Sequence, residues 1–299
     1  MRKASPVDAM LFGAVLLWAL NITVTKYMFQ HGWHPLAYAT IRYSAAIALF
    51  WAFTYWRERS FRIARGDIWL VALAGLMIFA NQISFVYGVK YANASTVGLL
   101  LGTTPMFIGL LSLLFRLERL NAPFWIGAGL TAAGVALIAA GGGGGFAADL
   151  KGDVFAIATA LTWAAYTITI APLMRRYSPY RISALVLLIG WVGFAAVGIP
   201  QTGSQEFSFG WLVWLGFAFA VVGPIFLTNI LWFTAVDRVG AGRASLFANL
   251  QPFVSVFFAL ILLSESLQPL EIVGGVLIFG GILLDRVWHK PVPPAPPAD

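Results

Sequence analysis

Cysteine is absent from the 299 residues, charged side chains make up only 10% of them, and the three histidines, His31, His34 and His289, fall in short connections or in the tail. The first absence excludes disulfides, thiolate metal sites and cysteine nucleophiles together. With no histidine inside an apolar stretch, neither a metal site nor a histidine-based catalytic centre can be assembled at membrane depth. No cofactor, no metal and no enzymatic activity are therefore expected. Soluble domains carry about 25% charged residues, so this chain cannot cover a water-facing surface. Acids are also missing where a proton-coupled carrier needs one. All twelve lie at the ends of apolar stretches, in connections or in the tail, which argues against carboxylate-based proton coupling.

What is present is apolar: hydrophobic residues make up 60% of the chain. A bilayer crossing needs about 20 of them in a run. Ten stretches qualify, at 7–27, 35–56, 68–89, 95–115, 122–140, 154–174, 182–199, 211–235, 244–263 and 270–288. The first follows Arg2 and Lys3 as a signal peptide would, yet it is long for that role and lacks a prompt small-residue cleavage site. It reads as a crossing. The net charge of +7 does not point to nucleic acid, because the basic residues sit in short runs between apolar stretches. With the N-terminus inside, fifteen of the nineteen lysines and arginines face the cytoplasm, leaving Lys26, Lys90 and Lys151 outside and Arg42 within the second crossing. That asymmetry predicts cytoplasmic termini.

The chain also repeats itself. A shift of 147 residues lays Pro105 on Pro252, Glu118 on Glu265, Gly127 on Gly274 and Gly134 on Gly281; a shift of 145 lays Trp18 on Trp163. Apolar matches alone carry little weight in such a composition, whereas these residue types in near-constant register do. Five crossings per copy is odd, so the second copy enters from the opposite side. The charges agree: Arg116-Leu117-Glu118-Arg119 carries two arginines, and its mate Leu263-Ser264-Glu265-Ser266 carries none. The expected fold is an all-α integral membrane protein of ten transmembrane helices in two inverted five-helix repeats. The first repeat is 1–140, an outer linker is 141–152, the second repeat is 153–288, and 289–299 is a proline-rich cytoplasmic tail expected to be disordered.

The residues Trp18-x-x-Asn21 with Lys26, Pro35 followed by Arg42, and the block from Ala94 through Pro105 to Glu118-Arg119-Leu120 and Trp125-Ile126-Gly127 resemble the drug/metabolite transporter superfamily, in particular its EamA-type ten-helix branch. A second copy of the block runs from Ala241 to Gly281, so the resemblance covers nearly the whole chain. Leu117 departs from the glycine usual before Glu-Arg-Leu in that branch. Within the branch, the aromatic-rich interior is similar to amino-acid exporters of the YddG type. The resemblance implies a multi-pass carrier of a bacterial inner membrane.

Polar groups at membrane depth are costly and usually face a cavity or the bundle interior. Trp18 and Asn21 share a helical face with Thr25, and the corresponding residues of the sixth crossing are Trp163, Tyr166 and Ile170. Gln82 matches Asn229, with Trp232 one turn further on, and Thr103 and Asn249 each precede a matched proline. These residues are equally suited to line a substrate cavity or to bind helices together. Lys26 and Arg42 are the cations that can reach a cavity, each also able to snorkel or to cap a carbonyl. Pro105 and Pro252 are candidate hinges, and Glu118 and Glu265 are read as braces at helix ends. An aromatic, amide-bearing, acid-free cavity suits zwitterions with apolar side chains. Export of amino acids or related metabolites is the leading expectation, with a broad-specificity drug or toxic-cation exporter as the alternative. A small-molecule substrate and the lipid bilayer are the expected partners; nucleic acid is not, and the oligomeric state is left open, with a monomer compatible.

Overall fold

A computed structural model describes residues 6–116, 122–141 and 146–288. Among the described residues there is no strand; the order is α1 (Pro6–Gln30), α2 (Pro35–Glu58), α3 (Ile68–Tyr91), α4 (Ala94–Leu101), α5 (Thr104–Leu114), α6 (Ala122–Gly141), α7 (Phe146–Met174), α8 (Pro179–Gly203), α9 (Trp211–Val221), a π-helical turn (Val222–Leu227), α10 (Thr228–Ala248), α11 (Gln251–Leu262) and α12 (Pro269–Trp288). Among the described residues eight stretches are long and apolar enough to cross a bilayer, and two further apolar helices, Gln251–Leu262 and Pro269–Leu284, are shorter. Glu118 with its neighbours and the tail from 289 lie outside the described residues. The stretch expected to be a linker is helical from Phe146.

Inside a bilayer every backbone polar group needs an internal partner, and the helix ends show how this is met. Pro35 and Pro179 open α2 and α8 at a position where a missing N–H costs nothing. The free amides at the start of α2 donate to side-chain carbonyls at the end of α8 and just beyond it: His34 N to Gln205 Oε1 at 2.7 Å and Leu36 N to Gln201 Oε1 at 2.9 Å. Between α1 and α2 the chain turns at Gly32, whose φ of 95° an L side chain rarely adopts.

Pro105 and Pro252 do not kink continuous helices. Each sits in the first turn of a new segment, α5 or α11. The preceding break at Gly102–Thr103 is satisfied locally: Thr103 Oγ1 donates to Leu100 O and Thr104 Oγ1 to Leu101 O, both at 2.7 Å. Pro224 falls in the π-helical turn. There Thr228 Oγ1 donates to Gly223 O at 3.0 Å and Asn229 Nδ2 to Ile225 O at 2.5 Å. Polar side chains thus take up carbonyls where the helical ladder is disturbed.

The principal packing partners are α1 with α10, α2 with α8, α3 with α7 and with α8, α4 with α11 and α6 with α12. Every pair joins an element before residue 142 to one after residue 145. Helices α6 and α12 are antiparallel and meet backbone to backbone, Gly127 against Gly281 and Gly134 against Gly274. In lipid, where apolar surface gains little by burial between helices, such glycines allow close packing. Two large apolar clusters fill the bundle. One, toward the α1–α2 turn, contains Ile22, Met28, Trp33, Tyr38, Phe85 and Val89; the other contains Tyr43, Phe50, Ile78, Tyr166, Ile170 and Phe194. Tyr38 and Tyr43 belong to different clusters, and Arg42 stands between them on α2.

Candidate functional site

Arg42 is 1% exposed and lies two turns inside α2. Its Nη2 donates to Gln82 Oε1 of α3 at 2.6 Å. Its Nη1 makes two longer bonds, to Asn21 Oδ1 of α1 at 3.3 Å and to Tyr38 OH one helical turn back at 3.4 Å. The guanidinium carbon lies 4.8 Å from the Tyr38 ring centroid, 5.6 Å from Tyr43 and 6.0 Å from Phe85. Three neutral oxygens and three aromatic rings surround the cation. The described ion pairs, Arg176–Asp67 and Arg181–Glu58, involve other residues.

The network continues past Arg42. Gln82 Nε2 donates to Asn81 Oδ1 at 2.8 Å, and Asn81 Nδ2 donates to Thr159 O of α7 at 2.9 Å and to Thr162 Oγ1 at 3.4 Å. Because Asn81 spends both ends of its amide this way, the Gln82 amide is oriented with its oxygen toward Arg42. Tyr38 OH also shares a hydrogen bond with Thr25 Oγ1 at 3.3 Å. A polar path therefore runs from α1 through α2 and α3 to α7.

One turn before Asn21 on α1, Trp18 opens an aromatic group. Its ring centroid is 5.9 Å from that of Trp163 on α7 and 5.1 Å from that of Trp232 on α10, and Trp163 is 5.3 Å from Tyr166. Each separation lies in the range where ring quadrupoles favour contact. Trp18, Asn21, Arg42, Gln82, Trp163, Tyr166 and Trp232 thus form two adjoining groups, one of rings and one of hydrogen bonds. Toward the α1–α2 turn the space is filled by a second aromatic group: Trp33, 1% exposed, stacks on Phe209 at 5.0 Å and Phe217 at 5.2 Å.

Four of the expected residues stand apart. Lys26 Nζ donates to Ala92 O at 2.7 Å and Val89 O at 3.1 Å, at the end of α3 and its cap. Thr103 serves the break between α4 and α5, Asn229 serves the π-helical turn, and Asn249 is the C-cap residue of α10. Glu265 reaches the other side of the break that Lys26 holds: its carboxylate accepts from Ala94 N at 2.8 Å, Ser95 N at 2.9 Å and Ser95 Oγ at 2.7 Å at the start of α4. Asn81, Tyr38 and Tyr43 belong to the site but escape a reading of the sequence alone. Tyr38 lies four residues before Arg42 on the same helical face, and that spacing is the signal the sequence offers; Asn81, directly beside Gln82, carries no such signal. A cleft of about 240 Å³ lies elsewhere, between Phe53, Trp56, Arg57, Pro179, Tyr180, Ile230 and Thr234, at least three turns along α2 from Arg42.

The model of the EamA-like transporter family matches this chain twice, at residues 5–140 and 150–285. This chain belongs to that family. It is a multi-pass membrane transporter of the drug/metabolite transporter superfamily. The uncharacterised transporter YetK of Bacillus subtilis is 29% identical over 227 residues, covering 74% of this chain and 68% of YetK. A probable terminal-alkyne amino-acid exporter of Streptantibioticus cattleyicolor is 27% identical over 230 residues, covering 73% of each chain. A solved crystal structure superposes with a TM-score of 0.62 at 22% identity, over 96% of this chain and all of its own, which shows a common fold.

Proposed function

We propose that this transporter exports amino acids, aromatic or otherwise neutral, or related small metabolites across a bacterial inner membrane by alternating access. In this reading the shorter helices α11 and α12 complete ten crossings in two inverted halves, 1–140 and 153–288, with 141–152 as the outer linker, 289–299 as a tail and both termini cytoplasmic. The antiparallel glycine contacts of α6 and α12 support the inversion, since the 147-residue shift exchanges one contact for the other. The observation that carries the functional reading is the meeting of Trp18 with Trp163 and Trp232. Rings from both halves converge there, next to the Asn21–Arg42–Gln82 network, and a solute held between them is handed across as the halves rock. The Trp33 group and the Glu265 brace correspond to a seal on the outer side, with Pro105 and Pro252 at the points where the fourth and ninth crossings can bend. The name of the Streptantibioticus relative supports amino acids as cargo.

Counterflow into proteoliposomes tests this, using a panel of neutral amino acids and of quaternary ammonium compounds. Exchange of one or more amino acids, reduced on the order of tenfold by Trp18→Ala, is the expected result. Movement of the ammonium compounds alone overturns it in favour of a drug or toxic-cation exporter.

A further inference from the structure

Resting on the reading just given, the environment of one side chain specifies the chemistry of the cargo further. We infer that Arg42 is the receptor for a substrate carboxylate, that Gln82 occupies its place in the empty carrier, and that Asn81 positions Gln82 for this exchange.

A guanidinium presents five N–H donors and has no acceptor. Around Arg42 the acceptors are three neutral oxygens, two of them beyond 3.2 Å. Its Nε is buried without a hydrogen-bond partner. A fixed cation this deeply buried is ordinarily matched by a carboxylate, because uncompensated charge is strongly disfavoured in an apolar interior. None of the hydrogen bonds or ion pairs described for Arg42 is to a carboxylate. The missing partner has a definite shape. Nε and Nη2 lie along one edge of the guanidinium and together donate to the two oxygens of a planar carboxylate side-on. Nε is free and Nη2 is held by Gln82 Oε1. A carboxylate seated on that edge takes up Nε and competes with the Gln82 amide for Nη2.

The rest of the surroundings limit what can carry that carboxylate. Asn21 connects the guanidinium to the helix face of Trp18, and Trp18 leads to Trp163 and Trp232. A monocarboxylate with a compact apolar or aromatic body fits, and the π faces can hold the ammonium of a zwitterion. Displacement of Gln82 has a consequence between the halves. Gln82 is bonded to Asn81, and Asn81 holds Thr159 O and Thr162 Oγ1 of α7. Occupation of Arg42 thus reorganises a hydrogen-bonded seam between α3 and α7, and the seam reports whether the site is filled.

Three probes with the same phenyl group on a two-carbon arm separate the charges: phenylalanine, phenethylamine, which lacks the carboxylate, and 3-phenylpropanoate, which lacks the ammonium. Binding to the purified full-length protein is measured for the wild type and for Arg42→Lys, Arg42→Gln, Gln82→Glu and Asn81→Ala, with parallel counterflow in proteoliposomes. The wild type should bind one or both carboxylate probes on the order of tenfold or more better than phenethylamine. Arg42→Gln should bring the three probes within about twofold of one another, and Arg42→Lys should fall between. Gln82→Glu supplies a carboxylate from within the protein, so it should fold at least as well as wild type and still lose the preference. Asn81→Ala leaves Gln82 less firmly held on Arg42 and should therefore strengthen the carboxylate probes severalfold with phenethylamine unchanged, a selectivity that a merely structural residue would not produce.

Retention of the full preference in Arg42→Gln, or in Gln82→Glu should Arg42→Gln fail to fold, overturns the inference and leaves amino-acid export standing. A wild type that handles 3-phenylpropanoate and not phenylalanine, through Arg42, upholds the inference and removes amino acids as cargo. Preference for phenethylamine, or no binding and no exchange of any probe or of the neutral amino acids in the counterflow panel, overturns both.

Discussion

The contact between α6 and α12 lends itself to a quantitative prediction. A Cβ built on Gly134 would lie 2.5 Å from Gly274 O and 2.8 Å from Ile278 Cγ1. The first neighbour is backbone and cannot rotate away. Restoring ordinary contact in Gly134→Ala requires the two helices to part by about 1 Å, which loosens a tightly packed interface along its length. Overpacking of this kind costs about 1–3 kcal/mol. Loss of Cα–H···O contacts where glycine backbones touch adds about 0.5–1 kcal/mol each. The expected destabilisation is therefore about 2–4 kcal/mol, read as a lower midpoint in SDS titration of the protein in mild detergent. Gly129→Ala is the matched control on the same helix, since nothing lies within 4 Å of its added Cβ. It should be neutral or stabilising by up to about 1 kcal/mol, because alanine favours the helix over glycine. The double variant Gly134→Ala/Gly274→Ala should cost less than the sum of its parts, as one separation of the helices accommodates both methyl groups. Equal stability of Gly134→Ala and Gly129→Ala, within about 0.5 kcal/mol, would refute the reasoning.

Three other variants probe the helix ends and breaks. Glu265→Gln leaves one acceptor oxygen for three donors at the start of α4 and brings an NH2 against them; a loss of about 1–3 kcal/mol is expected in the same titration, and none would mean that the brace is idle. Asp67 accepts from Arg176 Nη1 at 2.6 Å and Tyr177 OH at 2.7 Å, yet the Arg176 side chain is 61% exposed; Asp67→Asn should cost about 1–2 kcal/mol, with little dependence on salt if the tyrosine bond dominates. In the double variant Pro105→Ala/Pro252→Ala each new N–H can reach a carbonyl one turn back and stiffen the break. Exchange in proteoliposomes should slow on the order of tenfold with unchanged half-saturation, and unchanged exchange would remove the hinge.

Much of the chain is legible from composition and periodicity. The apolar stretches, the matched prolines and glycines and the shortage of charge are local or periodic properties, and they point to the family that the double match shows. The site is legible in part. Trp18, Asn21, Arg42, Gln82, Trp163, Tyr166 and Trp232 stand out as polar or aromatic groups at membrane depth, and the fold brings them into two adjoining groups. Lys26, Thr103 and Asn229 stand out for the same reason and serve backbone carbonyls instead. Composition cannot separate the two uses, because a buried donor is satisfied equally by a carbonyl of its own helix and by a side chain across the bundle. Asn81 is hidden beside Gln82 in the sequence, although it is the amide that spans α3 and α7.

That this chain belongs in a bilayer, that it is written twice, and where glycine and proline interrupt the pattern can all be read from the order of its residues. Those features follow from transfer free energy and from side-chain volume, which act residue by residue. It takes the packed helices to show that Gly134 faces Gly274, that the break after α3 is held by Lys26 on one side and Glu265 on the other, and that Arg42 meets three neutral acceptors, none of them an acid. Each of those outcomes depends on how helices far apart in the chain are set against one another. Hydropathy carries no such register, and a guanidinium acquires its meaning from what surrounds it.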